Sequence, residues 1–106
     1  MRVLLDNCVP WRLGVRLKPH DVQSVVKLGW AALLDRPLLD AVAGSYDIFV
    51  TMDKSIRFQQ RLVGRSFAVV ILRARSNAIK DLLPLVPELL QKLPTLKPGD
   101  VCEIGT

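Results

Sequence analysis

Three uninterrupted apolar runs, Val3-Leu4-Leu5, Ile48-Phe49-Val50 and Phe67 to Leu72, limit the folds open to this chain. Apolar runs without polar alternation read as strands buried on both faces, the habit of parallel sheets. The first two runs share a second feature: each stops on a carboxylate, Asp6 and Asp53. In an open parallel sheet, ligands bind in the crevice outside the carboxyl ends of the strands. Both acids are therefore expected where such a sheet keeps its chemistry. Two carboxylates converging on one spot repel unless a cation or shared proton lies between them. Hard oxygen ligands of this kind suit Mg²⁺ or Mn²⁺.

The segments between the strands alternate with them. Pro10 suits the first turn of a helix through Trp11, Leu13 and Leu17, which Lys18-Pro19 stops. His20 to Val26 reads as a short strand and Gly29-Trp30 as a turn. Asp35 precedes a helix with Leu38, Leu39, Val42 and Ala43 on one face, ended by Gly44-Ser45. Residues 47–51 form the next strand, 54–62 a helix, and 67–72 a strand. Asn77 is placed to cap a last helix over residues 78–92, kinked or delayed by Pro84 and Pro87. Pro98-Gly99 turns the chain into a final strand, Val101 to Ile104, either antiparallel or at an edge. The sum is a single α/β domain, a mainly parallel, three-layer α/β/α sheet of four to five strands.

The chain has 106 residues, one domain's worth, and carries 15 basic against 10 acidic side chains. Lys54, Arg57, Arg61, Arg65, Arg73 and Arg75 follow one another with no acid between Asp53 and Asp81. Such a field fits a polyanion such as nucleic acid, or simply a solvated surface. Arginines outnumber lysines here, which favours phosphate contact through the bidentate guanidinium fork. No segment approaches the roughly 20 apolar residues of a membrane span, and the start lacks the pattern of a signal peptide. Two cysteines without metal-ligand spacing complete the expectation of a reduced, cytoplasmic protein.

Asp6 and Asp53 are the candidate catalytic and metal-holding residues, although either could instead cap the helix that follows it. Thr51 lies two residues before Asp53, on the same strand face, and could orient it or bond water at a metal. Asp35 and Asp40 could complete the acidic set if their helix starts at the same edge; capping and solvent exposure are their alternatives. Asn7 is a ligand or a turn residue. Arg73 and Arg75 follow the fourth strand and could hold phosphate. Ser76 and Asn77 could add donors there or merely cap the helix. His20 has no nearby partner, and Cys8 has no base in its sequence context. Trp11 and Trp30 could stack on bases or pack in the core. Phosphate-binding glycine loops, Cys/His zinc spacings and the Gly-x-Ser-x-Gly elbow are missing from the sequence.

Met1 to Pro10, Val50-Thr51-Met52-Asp53-Lys54, and Val69 to Asn77 together resemble a family of short bacterial PIN-like domains, related to PIN toxin ribonucleases. The resemblance covers nearly the whole chain. It implies a parallel α/β sheet, an acidic cluster around Mg²⁺ or Mn²⁺, and metal-ligand roles for Asp6 and Asp53. It also implies a metal-dependent endoribonuclease, with RNA as substrate and a toxin–antitoxin pair, hence a cognate antitoxin, as one setting. Relatives open the middle helix with an Asp-Glu-Glu-like run; here it reads Asp35-Arg36-Pro37. The acidic set is correspondingly thin, so the rival expectation is a catalytically weak or inactive module that binds nucleic acid or a partner protein. A homodimer is expected from the apolar content and from the pairing habit of PIN-like domains, with Trp11 or Trp30 and the last helix as candidate contacts.

Overall fold

The computed structural model describes residues 1–33, 35–56 and 64–105, with the side chain of Asp35 also left undescribed. Their strands are β1 (Arg2–Leu5), β2 (Asp21–Ser24), β3 (Ile48–Thr51), β4 (Ala68–Arg73) and β5 (Val101–Gly105). They form a five-stranded sheet in the order β2-β1-β3-β4-β5. Every neighbouring pair is parallel. β5 is an edge strand, as one reading of its sequence allowed, and it runs parallel to β4 with Val69 beside Val101 and Arg73 beside Gly105.

The period of two along each strand separates two cores. Val3 and Leu5, Ile48 and Val50, and Val70 and Leu72 face one side. There they meet Leu13 and Leu17 of the 3-10 helix Trp11–Leu17 and Leu82, Leu89 and Leu93 near the C-terminus. Leu4, Phe49, Val69 and Ile71 face the other side. They are covered by Leu38, Leu39 and Val42 of α1 (Asp35–Ser45). The result is the three-layer α/β/α arrangement, with the sheet sealed on both faces.

The helices depart from expectation in detail. The segment after Pro10 winds as a 3-10 helix, a tighter form that still brings Leu13 and Leu17 inward. The last helical stretch is broken into α2 (Ile79–Leu82), a 3-10 turn over Leu83–Leu85, α3 (Val86–Lys92) and a second 3-10 turn over Leu93–Thr95. Pro84, Pro87 and Pro94 each sit at the start of a new piece, where a missing N–H costs nothing. Asn77 is not the cap of this stretch: Ala78 holds that position without a side-chain bond. The expected helix over 54–62 falls largely outside the described residues. No described helix is long and apolar enough to cross a membrane.

Candidate functional site at the carboxyl ends of β1 and β3

The chain passes from β1 outward to β2, then returns to the other side of β1 for β3, β4 and β5. Strand order therefore reverses between β1 and β3, the position at which doubly wound sheets open a crevice. Asp6 and Asp53 emerge from these two strands. The period of two places Asp6 on the side of Leu4, and Asp53 on the side of Phe49 and Thr51. This is the face covered by α1.

Both acids line a cleft of about 30 Å³ whose other walls are Leu38, Leu39, Phe49 and Ile56. Both also line a larger cavity of about 250 Å³, shared with Asn7, Cys8, Trp30, Leu33 and others. Its far wall is apolar: Val25, Trp30, Ala31, Leu33 and Leu38. Trp30 meets Tyr46 edge-on, with ring centroids 6.3 Å apart.

Hydrogen bonds tie the two acids into one unit. Thr51, fully buried, donates its hydroxyl to Asp6 Oδ2 at 2.6 Å and accepts the Asp53 N–H at 3.1 Å. One side chain thus fixes the carboxyl of the first acid and the backbone of the second. Asp6 Oδ1 accepts the Asn7 N–H at 2.7 Å, and the Asp6 N–H continues the ladder to the Val50 carbonyl at 2.8 Å. Asp53 Oδ1 accepts both the N–H and the hydroxyl of Ser55, at 3.0 and 2.6 Å. Asp53 therefore does begin a local turn, as its capping alternative required, while still facing the crevice.

Cys8 belongs to this network, which its sequence context did not reveal. Its Sγ lies 3.7 Å from both Asp6 Oδ2 and Thr51 Oγ1, and it accepts the Met52 N–H at 3.4 Å. Burial pushes the thiol above its ordinary pKa, and the Asp6 charge adds to the rise. It is a protonated packing group at neutral pH, not a thiolate nucleophile.

The remaining candidates are distributed more widely. Asn7 lines the larger cavity. Asp35 opens α1, but its side chain lies outside the described residues. Asp40 lines neither cavity of the acid pair and makes a 2.6 Å ion pair with Arg65 at the surface. Asn77 donates to the Cys8 carbonyl at 3.1 Å, bracing the loop after β4 against the loop after β1. Ser76 donates to Asp81 and accepts the Ala78 N–H, an internal turn contact. Arg73 and Arg75 line a separate cavity of about 340 Å³ that shares no wall residue with the acidic ones.

The donor set suits a hard divalent cation in kind. Asp6 and Asp53 supply carboxylate oxygens to a shared cleft, and Mg²⁺ ordinarily takes only one or two carboxylates and keeps several waters. Among the described residues, no three His, Cys, Asp or Glu side chains gather as a metal-binding group. A cation here would rest, among the described residues, on Asp6 and Asp53. Set against known proteins, the chain matches no family model, no curated protein and no solved structure.

Proposed function

We propose that this chain is a PIN-like, metal-dependent endoribonuclease. The observation that carries the reading is the convergence of Asp6 and Asp53, from two separate strands, on one crevice at the reversal of strand order. In this reading Asp6 and Asp53 hold Mg²⁺ or Mn²⁺. When bound, the cation supplies charge neutralisation at the scissile phosphate and acidifies water. Thr51 keeps the carboxyl of Asp6 and the backbone of Asp53 in register. The apolar wall around Trp30 offers a flat surface to a base beside the scissile bond and sheds water from it. RNA as the substrate, a toxin–antitoxin setting with a cognate antitoxin, and a homodimer follow from the resemblance to PIN-like domains.

One observation favours a second reading. The described residues bring two carboxylates to the crevice rather than the three or four of the resembled family. A module that keeps the fold and binds nucleic acid or a protein without cutting would look like this. Incubation of the purified chain with RNA and Mg²⁺ or Mn²⁺ separates the two. Cleavage is expected, and Asp6→Asn and Asp53→Asn should each lower it by about 100-fold or more, beyond what losing an outer-shell partner costs, with unchanged circular dichroism. Absence of metal-dependent cleavage in the wild type, or cleavage that survives both substitutions, would leave the binding module as the reading.

A further inference from the structure

The cavity at the carboxyl ends of β4 and β5 has a different chemistry. It measures about 340 Å³ and takes Arg73, Arg75 and Lys80 into its walls against a single acid, Asp81. Asp81 is already engaged by the Ser76 hydroxyl. Arg73 reaches Glu103 through Nη1 at 3.3 Å, yet its Nε–H is buried with no acceptor. Arg75 and Lys80 are exposed and have no carboxylate partner among the described residues. Arg75 and Lys80 thus bring charge to the concavity that no described carboxylate offsets, and the Arg73 Nε–H is a buried donor short of a partner. Ala74, Pro84 and Leu85 add an apolar side to the same cavity.

We infer that this cavity is a binding site for a phosphomonoester, separate from the acidic crevice. Three cationic side chains line the cavity, and Glu103, paired with Arg73, joins Asp81 in offsetting part of their charge. A phosphomonoester presents three free oxygens to these three donor groups, whereas a backbone phosphodiester presents two. The walls therefore match a terminal phosphate better than a chain-internal one. The guanidinium forks of Arg73 and Arg75 suit its oxygens, and Lys80 supplies a point charge. The phosphate can come from the end of an RNA strand or from a free mononucleotide; both present the same group. The site does not depend on the nuclease reading, because none of its residues lines the crevice of Asp6 and Asp53.

The test follows backbone amides of residues 74–81 by NMR, without divalent metal, during titration of the full chain. The probes are inorganic phosphate, a mononucleotide, and one short RNA oligomer with either a 5′-phosphate or a 5′-hydroxyl. Saturable shifts are expected with inorganic phosphate, the mononucleotide and the 5′-phosphorylated oligomer, each of which carries a phosphate group with at least three free oxygens. Affinity should fall at least about tenfold in Arg75→Gln/Lys80→Gln, two exposed positions whose change spares the core, and stay unchanged in Asp53→Asn. Tighter binding of the phosphorylated oligomer than of the mononucleotide assigns the site to RNA ends; the reverse assigns it to free nucleotides, and either result supports it. Equal binding of the phosphate-ended and hydroxyl-ended oligomers, shifts that persist in the double variant, or no saturable shift with phosphate would overturn it.

Discussion

The acidic crevice and the basic cavity lie at the same edge of one sheet and are built in opposite ways. The crevice stands at the centre, where strand order reverses, and its polar groups are bonded to one another through Thr51. The basic cavity stands at the β4–β5 edge, and two of its three cations have no partner in the described chain. A sheet centre is covered on both faces, so a polar group there must be satisfied internally. An edge meets solvent, so it can leave charges for a ligand to neutralise. The contrast separates roles: the centre fixes geometry for chemistry, and the edge supplies attraction.

Substitutions can sharpen or break that division. The largest expected effect comes from Leu39→Ala. Leu39 is buried in the α1 face and walls the cleft between Asp6 and Asp53. Truncation should cost about 2–5 kcal/mol through lost burial and the space left behind, read as a shift in the denaturation midpoint. It should weaken any Mn²⁺ binding while leaving phosphate shifts at the basic edge untouched. Equal damage to both would mean the two sites are one unit.

A smaller effect is expected from Thr51→Val, which keeps the shape and removes the hydroxyl between the acids. Metal affinity should drop by about 10-fold, the cost of losing a group that orients a ligand. Isothermal titration with Mn²⁺ reads it directly. An unchanged affinity would show that the hydroxyl serves the fold alone.

The smallest effect concerns Cys8. Its thiol is held above its ordinary pKa first by burial and then by the Asp6 charge. The protonated form is favoured in the folded state, so any stability it contributes is present at neutral pH and is lost as pH rises through the raised value. Asp6→Asn removes only the lesser cause. Alkylation of Cys8 at mildly alkaline pH should speed up by roughly twofold, in line with a small gain in thiolate. A slower reaction would place Cys8 outside the field of Asp6.

The apolar runs made the sheet legible, because only strands buried on both faces can afford Val3-Leu4-Leu5 or Ala68 to Leu72 without a polar break. Asp6 and Asp53 were legible for the same reason: strand ends in a parallel sheet have a fixed place. What stayed hidden depends on contacts between distant segments. Cys8 and Thr51 stand 43 positions apart in sequence with atoms 3.7 Å apart, and no local pattern announces such a meeting. Asn77 looked like a cap by position, yet its amide found the Cys8 carbonyl 69 residues away. Asp40 fell on the right helix, but its pairing with Arg65 was set by how α1 and the turn before β4 pack. Lys80 is not legible in the sequence, because a lone lysine carries no signal until Arg73 and Arg75 stand beside it.

The central claim is that Asp6 and Asp53 together hold a divalent cation, and free Mn²⁺ measured by electron paramagnetic resonance during titration tests it most directly. The expected result is one Mn²⁺ bound per chain, competed by Mg²⁺, and lost in both Asp6→Asn and Asp53→Asn while the Arg75→Gln/Lys80→Gln variant binds as the wild type does. Contradiction would be a wild type that binds no Mn²⁺, or binding that both aspartate variants retain.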